Sequence, residues 1–182
     1  NAPADVVVAD DGSIFVADGH SARTNNRVVK FAPDGTFIKS WGKTGYGPGE
    51  FRLLHTIAMD KKGRIFVGDR SNNRLQIFDQ EGEYIAQWLQ YGRPSGIFFD
   101  DHDNIYVSDS ESDNVENPGF EMGIRIGDAN TGWVEYFIRL PDGDPRDTIG
   151  NGAEFVAVDA AGNIYGGEPA PRKLQKYERV RR

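Results

Sequence analysis

Apolar and polar positions along this chain repeat one short-strand pattern four times. Residues 11–18 (DGSIFVAD), 62–69 (KGRIFVGD), 101–109 (DHDNIYVSD) and 161–168 (AGNIYGGE) each pass from a turn rich in Gly, Asp or Asn into a β-branched and aromatic run ending on an acid. Ile14, Ile65, Ile105 and Ile164 mark the same position, 51, 40 and 59 residues apart. A unit of this length built from short strands predicts the blades of a β-propeller. Each unit reads as a meander. An apolar first strand, suited to burial on both faces, precedes the repeated second strand, and an alternating third and an outer fourth strand follow. The expected blades are 4–41, 54–88, 94–140 and 153–178, forming one all-β, partial propeller domain over 1–182.

Three stretches interrupt the pattern. Residues 42–51 (GKTGYGPGEF) hold too much Gly and Pro for a helix or central strand and predict a crossover loop. No strand-to-helix context surrounds its glycines, which argues against a phosphate cradle. Residues 110–122 (SESDNVENPGFEM) form an acidic insertion, either a functional loop or a tolerated surface one, and 141–152 form a second long loop. The fourth unit stops after its third strand, which predicts that the chain does not close a ring by itself and that its open edges recruit further residues or another chain.

Composition narrows the function. The 182 residues, 38% hydrophobic and 12% aromatic, suffice for a real core. A net charge of −7 argues against nucleic acid as a partner, because phosphate binding needs clustered Lys and Arg. The basic cluster 179–182 reads as a solvated chain end. No apolar run approaches the roughly 20 residues of a membrane helix. With no Cys, disulfides and thiolate metal sites are excluded. A first residue Asn1, with no Met and no apolar leader, leads us to expect a processed or partial chain.

The segment Asp69-Arg-Ser-Asn-Asn-Arg-Leu-Gln-Ile-Phe78 and, with an insertion, residues 18–31 resemble NHL repeats. The motif order goes further: Asp18-Gly19, Arg27-Val-Val-Lys-Phe31, Trp41-Gly42, Gly47-Pro-Gly-Glu-Phe51, His55, Asp69-Arg70 and Arg74-Leu-Gln-Ile-Phe78. This order is similar to peptidyl-α-hydroxyglycine α-amidating lyase and its bacterial relatives. The resemblance implies a six-bladed propeller, of which four blades are present, and an exported or periplasmic setting.

Candidate chemistry follows from equivalent positions. Five residues before Asp60, Asp100 and Asp159, and before the matching Ala9, stand His55, Ser95, Glu154 and Ala4. These open the inner strands at the expected channel mouth, and in a six-fold ring His55 and Glu154 would stand about 120° apart. Imidazole and carboxylate ligands with an open position suit catalytic zinc. The resemblance implies a metal held by three His, with His55 matching one, Glu154 standing in place of another, and the third outside this sequence. The alternative is that His55 and Glu154 simply hydrate a polar channel. The resemblance also matches Arg70 to an active-site arginine that would bind a carboxylate or an oxyanion. His20 occupies the position of a proposed catalytic Tyr; an imidazole can act as a base, but it is not a phenol. All four side chains are expected at one face.

The acids Asp18, Asp69, Asp109 and Glu168 recur in every unit, so they read as architectural, accepting hydrogen bonds from backbone or from Arg27, Arg74 and Arg172. His102 reads as a surface residue. Phe155 stands where the resembling family carries a calcium acid, so no calcium is expected from the motif, although the acidic insertion offers weak ligands. Two functions remain: a zinc-dependent lyase acting on a small-molecule or peptide ligand, or a non-catalytic platform for a protein or ligand. A calcium-dependent lactonase is a third, suggested only by Glu154 and the acidic loops.

Overall fold

A computed structural model describes residues 2–21, 23–140, 152–169 and 172–180. The chain divides into two compact units, 1–89 and 90–182. No helix among the described residues is long and apolar enough to cross a membrane.

The first unit holds two four-stranded antiparallel meanders. Strands β1 (Pro3–Val8), β2 (Ile14–Asp18), β3 (Arg27–Phe31) and β4 (Phe37–Trp41) pair in chain order. After β5 (Lys43–Thr44) and β6 (Glu50–Phe51) come β7 (Leu54–Met59), β8 (Ile65–Asp69), β9 (Arg74–Phe78) and β10 (Tyr84–Trp88), again in chain order. The second unit repeats the arrangement with β11 (Pro94–Phe99), β12 (Asn104–Asp109), β13 (Gly123–Asp128) and β14 (Val134–Arg139), then β15 (Phe155–Val158), β16 (Ile164–Glu168) and β17 (Lys173–Tyr177). The four repeated runs are therefore the second strands of four successive antiparallel sheets. Among the described residues the last sheet has three strands, and β1 pairs with β2.

Burial follows strand order. Every residue of β8 and β9 is buried, whereas outer strand β10 alternates between exposed and half-buried positions. Sheets stacked face to face bury their middle strands on both sides, polar Arg74 and Gln76 of β9 included, whereas β1, expected to be buried on both faces, leaves Val6 and Val8 exposed. In the first unit β1 lies against β7, and Phe15, Ala17, Val28, Leu54, Ile57 and Val67 fill the space with Phe51 and Phe78. In the second, β11 lies against β15 around Tyr106, Ile124, Val156 and Ile164.

One carboxylate brackets three of the four inner hairpins; in the first, Ala9 stands at that position and Asp11 accepts the Ser13 amide and hydroxyl. Asp60 Oδ1 accepts the amides of Lys62 and Arg64. Asp100 and Asp159 do the same two and four residues on, and their Oδ2 atoms also accept from Asn104 and Tyr106, and from Asn163 and Tyr165. Asp closes such turns because its side chain mimics a backbone acceptor.

The interruptions are more ordered than their composition suggests. Residues 42–51 are not a plain loop: β5 and β6 form a short parallel ladder, Lys43 opposite Glu50. Glu50 Oε2 accepts the amides of Tyr46 and Gly47, replacing the backbone partners that a glycine-rich segment lacks. The insertion is anchored at its two ends while residues 114–116 and 118–119 stay exposed. Ser110, Ser112 and Met122 are fully buried, and Arg93 bonds Glu111 and Glu116 at 3.1 and 3.5 Å. Three of its four acids are thus matched by arginine, with Glu121 on Arg139, while Asp113 accepts the amides of Val115 and Glu116, so any calcium would compete with guanidinium groups and amides already in place. The loop expected over 141–152 lies, but for Gly152, outside the described residues.

The acids closing the second strands are architectural, and register explains their partners. Asp18 faces Arg27 and Asp69 faces Arg74 as cross-strand pairs, with Nε to Oδ2 distances of 2.9 and 2.8 Å. Glu168 faces Lys173, whose Nζ lies 3.2 Å away, so the expectation of Arg172 is off by one. Arg172 has a φ of 52°, the left-handed conformation that Asn26 and Asn73 take just before Arg27 and Arg74. The cation comes from the residue after that turn. In the third sheet Gly123 stands opposite Asp109, and Arg125 reaches back to it at 3.2 Å.

Candidate functional site

The first unit brings three of the four candidate residues to the same end of their strands. Leu54 and Asp69 are register partners, so Arg70, which follows Asp69, meets the entrance of β7. Its amide donates to the Leu53 carbonyl at 3.1 Å, and its side chain is buried in a short 3₁₀ turn, Arg70–Asn72. The loop after β2 docks on the same entrance. Leu54 N–H donates to Gly19 O at 3.1 Å, while the amides of Gly19 and His20 both reach Ala2 O. His20 and His55 each lie one residue beyond the Gly19–Leu54 bond. Their rings therefore come together, with centroids 4.8 Å apart and planes inclined by 53°. His20 is exposed and His55 half-buried.

Gly19 makes this approach possible. A Cβ there would lie 2.7 Å from the Asn26 Cα and 3.0 Å from Leu54 Cδ1. Behind the pair, Asp69 accepts the Arg52 amide at 2.7 Å as well as Asn72, Arg74 and Gln76. Burial pushes its carboxyl above the ordinary value, and these donors oppose that shift. Arg74 also donates to the carbonyls of Tyr46, Gly47 and Glu50 and to Gln87, stapling residues 46–50 to the sheet that carries His55.

The fourth candidate, Glu154, belongs to the second unit, where its amide donates to Gly167 O at 2.8 Å. Ser110, the counterpart of Arg70, donates to Glu154 Oε1 at 3.1 Å and lies 2.7 Å from Ser95 Oγ. The single Ser110 proton is used on the carboxylate, so Ser95 is the donor to Ser110. Two positions opening inner strands are thus joined by a directed chain of hydroxyls. His102 is exposed, as its place in a hairpin implies.

Two adjacent imidazoles are chemically suited to a divalent zinc ion, whose tetrahedral sites take His nitrogen. Among the described residues no group of three or more His, Asp or Glu converges, so the ligand set is incomplete within them.

Sequence reasoning missed Asn26 and Ser110, and met Gly19 only as part of the Asp18-Gly19 motif. The Asn-Asn-Arg triplets 25–27 and 72–74 were the available signal for the first, since Asn tolerates left-handed backbone.

Comparison with known proteins bears on the repeats and the fold. The NHL repeat family matches residues 1–31 and 51–78. The chain is 34% identical over 143 residues to peptidyl-glycine alpha-amidating monooxygenase B of Xenopus laevis, covering 69% of this chain and 16% of the relative. It is 30% identical over 142 residues to the Caenorhabditis elegans protein named "Probable peptidyl-alpha-hydroxyglycine alpha-amidating lyase pgal-1", covering 71% and 39%. Human NHL repeat-containing protein 3 is 38% identical over 87 residues, covering 47% and 25%, so the chain spans only part of each relative. Among solved structures, the WD40 propeller domain of Doa1 superposes with a TM-score of 0.70 at 12% identity, covering 99% of this chain and 52% of that one. A streptogramin B lyase gives 0.66 at 16% identity, covering 97% and 54%; at such identities the likeness speaks for the fold alone.

Proposed function

We propose that this chain, which carries NHL repeats on a β-propeller and is homologous to peptidylglycine alpha-amidating monooxygenase and lyase, cleaves the C–N bond of a peptidyl-α-hydroxyglycine. The observation that carries the reading is the His20–His55 pair, 4.8 Å between ring centroids, with Arg70 at the same strand entrance. The substrate is a carbinolamide with a free carboxylate. Its hydroxyl loses a proton, the C–O bond becomes a carbonyl, and the C–N electrons pass to nitrogen, which takes up a proton. The products are a peptide amide and glyoxylate.

Each side chain has a matching role. His20, exposed beside His55, accepts the hydroxyl proton and returns it to the departing nitrogen. Arg70 binds the substrate carboxylate through its guanidinium, the group best suited to planar anions. His55 is the residue that would hold zinc, through an imidazole nitrogen. When bound, the metal supplies Lewis-acid polarisation of the substrate oxygen.

The test is turnover of a synthetic peptidyl-α-hydroxyglycine, following glyoxylate and the peptide amide. His20→Ala should lower kcat about 100- to 10,000-fold, the usual worth of a positioned base. Arg70→Ala should raise KM for the carboxylate substrate far more than for its methyl ester. Absence of turnover by the zinc-loaded protein would leave the propeller a binding platform.

A further inference from the structure

We infer that Asn26 is the residue that positions His20 against His55; the inference rests on the reading of these two imidazoles as the reactive pair. Asn26 is fully buried. Its Oδ1 accepts the Leu53 amide at 2.8 Å, two residues before His55. Its Nδ2 donates to the carbonyls of Ser21 and Thr24, both at 3.3 Å, in the loop that carries His20. The same nitrogen lies 3.0 Å from Thr44 Oγ1 in β5. One side-chain amide therefore ties together the His20 loop, the lead-in to the His55 strand and the segment that crosses between the two sheets.

Side-chain chemistry explains why this residue is Asn. The loop carbonyls need a donor and the Leu53 amide needs an acceptor, and a carboxamide supplies both. The backbone at residue 26 has a φ of 48°, which Asn adopts more readily than most residues.

What Asn26 holds is itself strained. Leu53 has a φ of 77°, a conformation branched side chains rarely take. It is pinned from two sides, its amide on Asn26 and its carbonyl on the Arg70 amide. Strain of this kind persists only where the surroundings over-determine it. Releasing Asn26 should let Leu53 relax and shift His55, while the His20 loop loses its internal ties. Asn26 touches no reacting atom in this scheme; it acts through the two imidazoles.

Two substitutions separate this role from a general contribution to stability. Asn26→Asp keeps an acceptor for Leu53 but places an oxygen against the carbonyls of Ser21 and Thr24. The Leu53 amide should stay protected from hydrogen exchange, while the nuclear Overhauser contact between the His20 and His55 rings is lost. Asn26→Ala should lose both signals. Asn25→Ala is the control: that side chain donates to Asp18 at 2.8 Å, and both signals should survive. In the turnover assay Asn26→Asp should lower kcat about 10- to 100-fold with KM unchanged, as expected for a misplacement of about 1 Å.

Retention of the ring contact in Asn26→Asp would overturn the inference. So would loss of protection across the whole unit together with the contact, or failure of both Asn26 variants to fold, since either marks a purely structural residue. The ring contact is read without substrate. Its loss in Asn26→Asp alongside an inactive wild-type protein would sustain the positioning role and sink the lyase reading.

Discussion

The inner seams of the two units solve one packing problem in opposite ways. Asp5 and Gly96 occupy the same register position, each four or five residues before its hairpin. In the first unit Asp5 Oδ2 reaches from β1 to β7 and accepts Thr56 Oγ1 at 2.9 Å and the Ile57 amide at 3.0 Å. In the second, Gly96 has no side chain, and a Cβ there would lie 2.8 Å from Phe155 Cα and 3.1 Å from Val156 N. A carboxylate satisfies the facing amide across one seam, while at the other the backbones themselves draw close. The outer part of the first seam is also polar: Lys30 and Lys39 both reach Glu81 and its neighbouring carbonyls. The polar seam is the one beside the imidazole pair. A hydrogen-bonded seam fixes register through directional contacts, whereas a backbone seam fixes it through the absence of space.

The largest expected effect lies behind the site rather than in the seam. Arg74→Met should cost about 3–5 kcal/mol, the usual result of leaving a buried ion-pair partner unmatched. It also removes a donor from the carbonyls of Tyr46, Gly47 and Glu50, of which Gly47 keeps the Glu50 amide and Glu50 keeps the Gln76 side chain. The second-unit counterpart, Arg125→Met, should cost less: both acids keep other donors, but Arg125 holds one backbone carbonyl, that of Glu121, where Arg74 holds three. Denaturant unfolding of both variants measures the difference. Equal losses would mean that the stapling of residues 46–50 adds nothing.

The seams come next. Gly96→Ala should cost about 1–3 kcal/mol through overpacking against backbone that has no rotamer to change. Asp5→Ala should cost about 1 kcal/mol, because water can reach part of the vacated seam. Reversal of that order in thermal unfolding would break the contrast between a steric and a polar seam.

The smallest effect is a pH dependence in the second unit. The Asn163 side chain, followed by the Asn163 amide, holds the Asp159 carboxyl down to about 2, from an ordinary 3.8. A folded value below the unfolded one stabilises the fold above pH 3.8, and that contribution is lost as pH falls towards 2. Asp159→Asn should flatten stability across this window. An unchanged acid limb in a pH series of melting temperatures would show that the bracket does not set it.

Much of this molecule was legible along the chain because strand period and turn chemistry are local. The four second strands, the hairpin acids and the Asp18–Arg27 and Asp69–Arg74 pairs follow from alternation and from which residues close tight turns. The order His20, His55, Arg70 followed as well, since inner strands start where second strands end. Tertiary structure decided what depends on loops meeting across long separations. Only the fold set the two imidazoles 4.8 Å apart, and it did so because Gly19 admits the Asn26 backbone. The acidic insertion is tied down by Arg93, a residue 18 and 23 positions away from its two partners. The roles of Asn26 and Ser110 rest on hydrogen bonds whose geometry no periodicity encodes. Local rules fix where the backbone turns; which side chains then find one another is set by how the turned segments pack.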